Sequence, residues 1–180
     1  NKFCLEHGFG IPKTYSKNFC DIEFPVFIKP THGKGSLNTF KVKNYSFLKS
    51  ILDNFEEDFI IQEHVEEKEY SVDLFSDFSG NVISVVPRER ILTVAGESHI
   101  GKTLKNQTII NESIRLANAL NLIGHNTIQC FFDGKNVKFI EVNPRFGGGA
   151  NLGFESGHPT PEYLIRLIKG EVLDSVIGEF

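Results

Sequence analysis

The 180-residue chain contains no methionine and no tryptophan, and its three cysteines include no Cys-x-x-Cys pair. An odd number of cysteines gives no complete disulfide framework, which is typical of a reducing compartment, and we expect a cytoplasmic protein. No apolar run approaches the ~20 residues of a membrane-spanning helix, so we expect no membrane contact. The net charge of −4, without a Lys- or Arg-rich run, argues against a nucleic-acid partner.

The rest of the composition is that of a globular enzyme domain, with 40% hydrophobic side chains and enough length to bury a core. Strand candidates occur in hairpins and helix candidates occur singly, which predicts an α+β fold rather than a doubly wound parallel sheet. Because the chain opens on Asn1 and lacks methionine, we expect a trimmed chain or a fragment. The predicted helices cover residues 2–7, 45–55, 106–121 and 160–168, and the predicted strands cover 26–29, 40–43, 59–63, 70–75, 81–90, 124–132 and a segment leading to Glu141.

The most informative stretch is residues 139–149, FIEVNPRFGGG. Side chains alternate along a strand, so Glu141 and Asn143 share one face, and we expect Ile140 and Val142 to enter the core. The following proline and glycines must end the strand, leaving Arg145 on the rim. Carboxylate and amide oxygens suit a hard cation such as Mg²⁺. The alternative is a strand with solvent-facing polar residues that runs into a glycine-rich loop.

A predicted hairpin adds a third candidate oxygen ligand. The strand over residues 124–132 is followed by a turn signal at 133–136. An odd loop, such as residues 134–136, places Gln129 opposite Glu141, whereas a two-residue loop places it on the other face. We predict the odd loop. Gln129, Glu141 and Asn143 then form an all-oxygen set suited to Mg²⁺ and unsuited to zinc, which prefers nitrogen and sulfur.

A glycine loop over residues 31–38 follows the apolar strand that ends in Lys29. A lysine at the end of a buried strand needs an anionic partner, and glycines allow a backbone to approach phosphate oxygens. The loop leads into a strand-like segment, so it lacks the context of a Walker loop. The alternative is an ordinary hairpin loop.

Taken in order, Lys29 with its glycine loop, the segment 62–65 with Glu69, Gln129, and the sequence Glu141-x-Asn143-Pro144-Arg145 resemble the ATP-grasp superfamily. The resemblance covers residues 2–170 and is nearest to the ATP-binding domain of carbamoyl-phosphate synthase large chains and related carboxylate-amine ligases. It implies two α+β lobes that clasp the nucleotide between antiparallel sheets. We expect a smaller glycine-loop lobe over residues 14–64 and a larger metal-binding lobe over 65–180, without the N-terminal domain that precedes this segment in relatives.

The resemblance also implies an activity and a set of contacts. The family's ligases use ATP with Mg²⁺ or Mn²⁺ to form an acyl phosphate from a carboxylate, which an amine or ammonia then attacks. Arg145 and Lys29 would be catalytic, Arg145 by steadying the acyl phosphate. By itself, the segment 66–69 has the composition of a solvated charged turn. The implied nucleotide contacts are Lys2, Lys29, Gly33, Gly35 and Ser36 with the phosphates, Glu63 and Val65 with adenine, and Glu69 with the ribose.

Arg88 and Arg90 are expected on one side of a strand, where two guanidinium groups suit a carboxylate or acyl phosphate. Equally, they are a basic strand face neutralised by the excess of acidic residues. Two other functions fit the sequence: a catalytically silent ATP-binding module with a regulatory or assembly role, and an α+β interaction domain without nucleotide. The sequence leaves open the identity of the acid and amine, the activity of the chain alone, and whether it works as an oligomer or with a partner domain.

Overall fold

The computed structural model describes residues 1–16, 21–32, 37–54 and 58–180. The chain divides into a smaller unit, Pro12–Glu66, and a larger unit that comprises Asn1–Ile11 and Glu67–Phe180. Within the described ranges, no helix has both the length and the apolar character needed to cross a membrane. In chain order the elements are α1 (Lys2–Glu6), β1 (Val26–Pro30), β2 (Phe40–Val42), α2 (Tyr45–Asn54), β3 (Phe59–Glu63), β4 (Lys68–Ser76), β5 (Val82–Val94), β6 (Glu97–Thr103), α3 (Gln107–Leu120), β7 (Gly124–Phe132), β8 (Val137–Asn143), α4 (Asn151–Glu155) and α5 (Thr160–Ile168).

The smaller unit contains a three-stranded sheet in the order β2-β1-β3, and both pairings are antiparallel. Asn44 begins α2, because its Oδ1 accepts a hydrogen bond of 2.9 Å from the backbone N–H of Phe47. The apolar residues of α2 recur at helical spacing and pack against alternate residues of the strands. The buried core of this unit consists of Val26, Ile28, Val42, Leu48, Ile51, Phe59 and Ile61.

The larger unit contains a five-stranded antiparallel sheet in the order β6-β5-β4-β7-β8. One face of this sheet and the helix α3 form an apolar core. Asn106 caps the start of α3 by accepting from the N–H of Ile109 at 3.1 Å, and Asn121 ends it in the left-handed conformation, with φ 50°. The sheet contributes Tyr70, Val72, Leu74, Val85, Ile128, Cys130, Val137 and Phe139 to this core, and α3 contributes Ile109, Ile110, Leu116 and Ala117.

These mixed, antiparallel elements confirm the predicted α+β class. The stretch after residue 90 differs from the prediction, because β5 continues to Val94 and pairs with β6 where a loop was expected. Ala95 and Gly96, with φ 49° and 78°, make the tight turn between them. Most of β6 is exposed, so its sequence lacks the alternation that marks a half-buried strand. The short helix α4 was also not predicted.

Candidate functional site

The face of the five-stranded sheet opposite the core carries polar side chains in neighbouring register positions. Alternation along β4, β5, β7 and β8 places them on this face, because their strand neighbours point into the core. We call this surface the polar face. One row across four strands consists of Arg88, Ser71, Gln129 and Glu141, and the next consists of Val86, Asp73, Thr127 and Asn143.

The β7–β8 hairpin confirms the position of Gln129 but not the reason for it. Phe132 pairs with Val137, which leaves a four-residue loop, so the predicted odd loop is wrong. A β-bulge then inserts Ile140 into β8, because Cys130 pairs with Phe139 while Gln129 pairs with Glu141. The extra residue restores the register that an odd loop would have produced.

The same bulge corrects the predicted core face of β8. Phe139 is buried and Val142 packs against the core, whereas Ile140 is half-buried and lies outside the core clusters formed by the described residues. The even loop itself is held by Asp133, whose Oδ1 accepts from the N–H groups of Lys135 and Asn136 at 2.8 and 2.6 Å. These backbone hydrogen bonds lower the pKa of Asp133 to about 2.

Glu141 and Asn143 are in contact, since Nδ2 of Asn143 donates to Oε1 of Glu141 at 2.7 Å. Gln129 lies opposite Glu141, and its Oε1 accepts from Nη1 of Arg90 at 2.9 Å. The atoms available as metal ligands are therefore carboxylate and amide oxygens, the set that Mg²⁺ prefers. Among the residues the structure describes, no group of three or more His, Cys, Asp or Glu side chains is arranged to hold a metal. A set of carboxylate and amide oxygens suits a hard cation such as Mg²⁺ and does not suit zinc, which prefers nitrogen and sulfur.

Charge at this place also favours a cation. Glu69, at the start of β4, is paired with Nη1 of Arg90 at 2.5 Å. Burial raises the pKa of Glu69 above its ordinary value, the negative charge of Glu141 adds to the rise, and Arg90 opposes it. A divalent cation beside Glu69 and Glu141 would stabilise the charged form of Glu69.

Arg88 is held by a buried ion pair. Its Nε and Nη2 donate to the two carboxylate oxygens of Asp73 at 2.6 and 3.1 Å, and both side chains are at most 3% exposed. Nε2 of His125 lies 3.7 Å from Oδ1 of Asp73. Burial alone would raise the pKa of Asp73, but the neighbouring His125 and the guanidinium of Arg88 outweigh it and lower that pKa. Asp73 is therefore ionised and fixes the orientation of Arg88.

The β5–β6 hairpin adds a wall to the polar face. Two register shifts, between Arg90 and Leu92 and between Leu92 and Thr93, bend its strands. Nη2 of Arg90 donates to the carbonyl oxygen of Gly96 at 2.6 Å and ties the hairpin tip to the sheet. The resulting pocket is lined by Ser71, Arg88, Arg90, Gly96, Glu97, Ser98, Thr127, Gln129, Asn143, Arg145, Gly147, Gly148 and Gly149.

The glycine turn after β8 closes the other side of this pocket. Oγ1 of Thr127 donates to the carbonyl oxygen of Arg145 at 3.0 Å and anchors the turn. A Cβ at Gly147 would lie 2.9 Å from Oγ1 of Thr127, and one at Gly149 would lie 2.6 Å from Nη1 of Arg88. Glycine is needed at both positions because neighbouring side chains occupy the space. Arg145 itself is exposed, and its Nη1 donates to the carbonyl oxygen of Phe146 at 3.1 Å.

The remaining predicted residues fall elsewhere. In the smaller unit Lys29 lies on β1 opposite Ile60, half-buried, and Oε1 of Glu63 accepts from the N–H of Lys13 at 3.0 Å. Val65 is half-buried after β3. In the larger unit Lys2 is exposed on α1, with its Nζ 3.8 Å from Oε1 of Glu6. Gly33, Gly35 and Ser36 lie outside the described residues.

The sequence analysis did not predict several side chains of the site, namely Ser71, Asp73, Glu97, Ser98, His125 and Thr127. Asp73 carried a usable signal, because an acid inside the otherwise apolar run of β4 needs a buried cation as partner. Asp73 pairs with Val86 across β4 and β5, so Arg88 is its diagonal neighbour on the same face. Glu97 and Ser98 carried none, since they come from the strand that the sequence did not predict.

Comparison with known proteins agrees with this architecture. A family described as "ATP-grasp in the biosynthetic pathway with Ter operon" matches residues 55–178, more than half of the chain. The carbamoyl phosphate synthase large chain of Pyrococcus furiosus is 28% identical over 173 residues, which span 86% of this chain and 16% of that protein. The chain therefore spans only a small part of this curated relative.

Solved structures share the fold. A biotin carboxylase from Campylobacter jejuni, in complex with β-γ-ATP, superposes with a TM-score of 0.82 at 19% identity, over 97% of this chain and 46% of that chain. The biotin carboxylase domain of 2-oxoglutarate carboxylase from Hydrogenobacter thermophilus, with MgADP, ADP and bicarbonate, gives 0.75 at 18% identity, over 97% and 45%. The predicted relationship is confirmed, and the chain belongs to the ATP-grasp family.

Proposed function

We propose that the chain is the ATP-dependent core of a carbon-nitrogen ligase, of the carbamoyl-phosphate synthase or carboxylate-amine type. The single observation that carries this proposal is the set of Gln129, Glu141 and Asn143 on one face of adjacent strands, with Arg145 directly after them. A surface that only bound a protein would have no need for carboxylate and amide oxygens gathered on one face of adjacent strands. Mg²⁺, or Mn²⁺ in its place, would bind these oxygens and supply positive charge that neutralises the transferring phosphoryl group.

The reaction would have two steps. A carboxylate oxygen attacks the terminal phosphorus of ATP, the bond to ADP breaks, and an acyl phosphate forms. An amine or ammonia then attacks the acyl carbon, inorganic phosphate leaves, and the nitrogen loses a proton to water. The first step brings two anions together, the carboxylate and ATP, so positioning and electrostatic stabilisation supply most of the rate.

Residues of the larger unit would share the work on the polar face. Gln129, Glu141 and Asn143 would hold the cation, and Arg145, exposed at the pocket rim, would pair with the acyl phosphate. Glu69 is assigned to the ribose by the family resemblance. Its pairing with Arg90 leaves Oε2 as the oxygen for a ribose hydroxyl. Lys2 is assigned to the phosphates by the resemblance alone.

Residues of the smaller unit are assigned from the resemblance. Lys29, near the end of β1 and before the glycine loop, would contact the nucleotide phosphates together with Gly33, Gly35 and Ser36. Glu63 and Val65, at and after the end of β3, would border adenine. The relatives' compartments and assemblies do not transfer with the fold, so a cytoplasmic location and action with a partner domain or as an oligomer remain part of the proposal.

Hydroxylamine tests the proposal directly, because it converts acyl phosphates into hydroxamates. With MgATP and a panel of small carboxylates, we expect hydroxamate and ADP in equal amounts for at least one acid. The assay uses the 180-residue chain and any longer polypeptide of which it is part. ATP binding without hydroxamate from any acid would favour a catalytically silent module instead.

Thermal melts test the assigned ligands. Ligand at 100 times its Kd stabilises a protein by about 2.7 kcal/mol, so MgATP should raise the unfolding midpoint. We expect Glu141→Ala and Lys29→Ala to shrink this rise, and Glu162→Ala, at an exposed position in the first turn of α5, to leave it unchanged. A rise of the same size in all three variants would contradict the assignments.

A further inference from the structure

The pocket on the polar face has a one-sided composition. All thirteen of its lining residues are charged, polar or glycine, and none contributes an aliphatic or aromatic side chain. Burial of an apolar group would gain little from such walls. We propose that this pocket binds the acid substrate of the ligase, and that the substrate is a small amino acid, with its carboxylate at Arg88 and its ammonium group at Glu97. This inference rests on the proposed function.

Arg88 supplies the carboxylate end. Nε and Nη2 are used by Asp73, and within the described part of the chain Nη1 has no hydrogen-bond partner although the side chain is only 2% exposed. A buried donor left unsatisfied is costly, so a ligand oxygen that accepts from it gains binding energy. Asp73 already balances the charge of Arg88. Nη1 therefore acts as a fixed donor that serves a carboxylate and, equally, the carbonyl oxygen of an acyl phosphate.

Gly149 keeps that donor accessible. A Cβ at this position would lie 2.6 Å from Nη1 of Arg88, so a ligand oxygen can approach only because the side chain is absent. A Cβ at the neighbouring Gly148 would have no heavy atom within 4 Å. The two glycines therefore differ in what a methyl group would block.

Arg90 does not share this role, although the sequence paired it with Arg88 as a substrate residue. Its Nη1 donates to Glu69 and Gln129, and its Nη2 donates to the carbonyl oxygen of Gly96. Both terminal nitrogens of Arg90 are engaged, and only its buried Nε has no hydrogen-bond partner among the described residues, so Arg90 acts as a positioning residue. It ties the proposed cation ligand Gln129 and the hairpin tip to the same guanidinium group.

The hairpin tip supplies the ammonium end. Glu97 lines the pocket directly after the tight turn, and its side chain is exposed, so its carboxylate is accessible to a ligand. Ser98 follows, and among the described residues its buried Oγ has no hydrogen-bond partner. Both residues line the pocket, and a carboxylate and a hydroxyl can each accept a hydrogen bond from an ammonium group. Arg88 on the floor and Glu97 on the wall thus match the two charges of an amino acid.

Calorimetric titrations with MgADP present test the inference through binding alone. The probes are glycine, glycolate, acetate and bicarbonate, of which only glycine carries an ammonium group. We expect glycine to bind about tenfold or more tightly than glycolate, as a charge-assisted hydrogen bond is lost. Glu97→Gln should abolish this preference while leaving glycolate binding in place, and Glu162→Gln, an exposed control on α5, should leave the preference intact. Equal affinities for glycine and glycolate, or no binding of any acid, would overturn the inference.

The glycine turn gives an independent test of the carboxylate end. We expect Gly149→Ala to weaken the binding of glycine and of glycolate to the same extent. The loss of affinity should be much smaller in Gly148→Ala, and both variants should fold and bind MgADP. Equal losses of affinity in the two variants would contradict the role of Arg88 as the carboxylate donor.

The hydroxamate assay separates this inference from the proposed function. If hydroxamate formed from glycolate and glycine at equal rates, the ligase function would be supported and the amino acid substrate contradicted. A binding preference for glycine without hydroxamate would support amino acid binding in this pocket and contradict the ligase function.

Discussion

The two faces of the five-stranded sheet are built from the same strands and are held by different forces. One face packs Val72, Leu74 and Ile128 against α3 and excludes water. The opposite face, one residue along, buries Arg88 and Asp73 almost as completely. Burial stabilises the first face directly, whereas the second is stable only because each charge has a partner.

The difference indicates where function lies. An apolar face of this kind needs only size and shape complementarity, so its residues are interchangeable with others of similar volume. The polar face carries costs that an apolar face avoids. Among the described residues Nη1 of Arg88 has no hydrogen-bond partner, and burial together with the charge of Glu141 raises the pKa of Glu69. Such costs are typical of a binding site.

Removal of one partner from the polar face should have the largest effect. Asp73→Ala leaves the guanidinium of Arg88 buried without its counter-charge, and we expect a loss of about 3–5 kcal/mol in the free energy of unfolding, measured with urea. The double variant Asp73→Leu with Arg88→Met should lose much less. If the double variant were less stable than Asp73→Ala, the unpaired charge of Arg88 would not be the main cause of the stability loss.

Acid should affect the polar face next. The folded-state pKa of Asp73 is lowered, so its carboxylate contributes fully above the ordinary value of about 3.9 and the contribution is lost as the pH falls through the folded value. The stability difference between the wild type and Asp73→Asn should be constant near neutral pH and shrink below about pH 4. A difference that grew on acidification would mean that Asp73 is neutral in the folded protein.

A conservative substitution on the apolar face should cost less stability than the changes above, and this cost should not depend on pH. Ile128→Val removes one buried methylene from the core, and we expect a loss of about 0.5–1.5 kcal/mol. Urea unfolding at pH 7 and pH 5 should give the same difference from the wild type. A pH-dependent difference would show that the two faces are coupled through β7.

The smallest expected effect is chemical and not energetic. Cys130 lies on the apolar face, and burial raises its pKa to about 12, so almost no thiolate exists at pH 7.5. In a Cys20→Ser background, a thiol reagent should label the half-buried Cys4 much faster than Cys130 in the native state. Rapid labelling of Cys130 would mean that β7 opens readily.

Much of the fold followed from local patterns. The helices α3 and α5 lie where the sequence predicted them, over residues 106–121 and 160–168. The prediction failed for β6, because an exposed strand has no hydrophobic alternation to reveal it. The loop prediction was wrong for a related reason, since nothing in the residues around Ile140 marks a bulge.

The sequence by itself determined that Glu141 and Asn143 share one face, because period-two alternation and a strand-ending proline act locally. The position of Gln129 on that face depended on the bulge at Ile140. The tertiary structure alone decided which guanidinium is available. The sequence pattern does not distinguish Arg88 from Arg90. Their hydrogen-bond partners, which do distinguish them, come from β4, β7 and the tip of the β5–β6 hairpin. Hydrogen bonds between strands depend on register and bulges, and these are set by packing of the whole sheet rather than by neighbours in the chain.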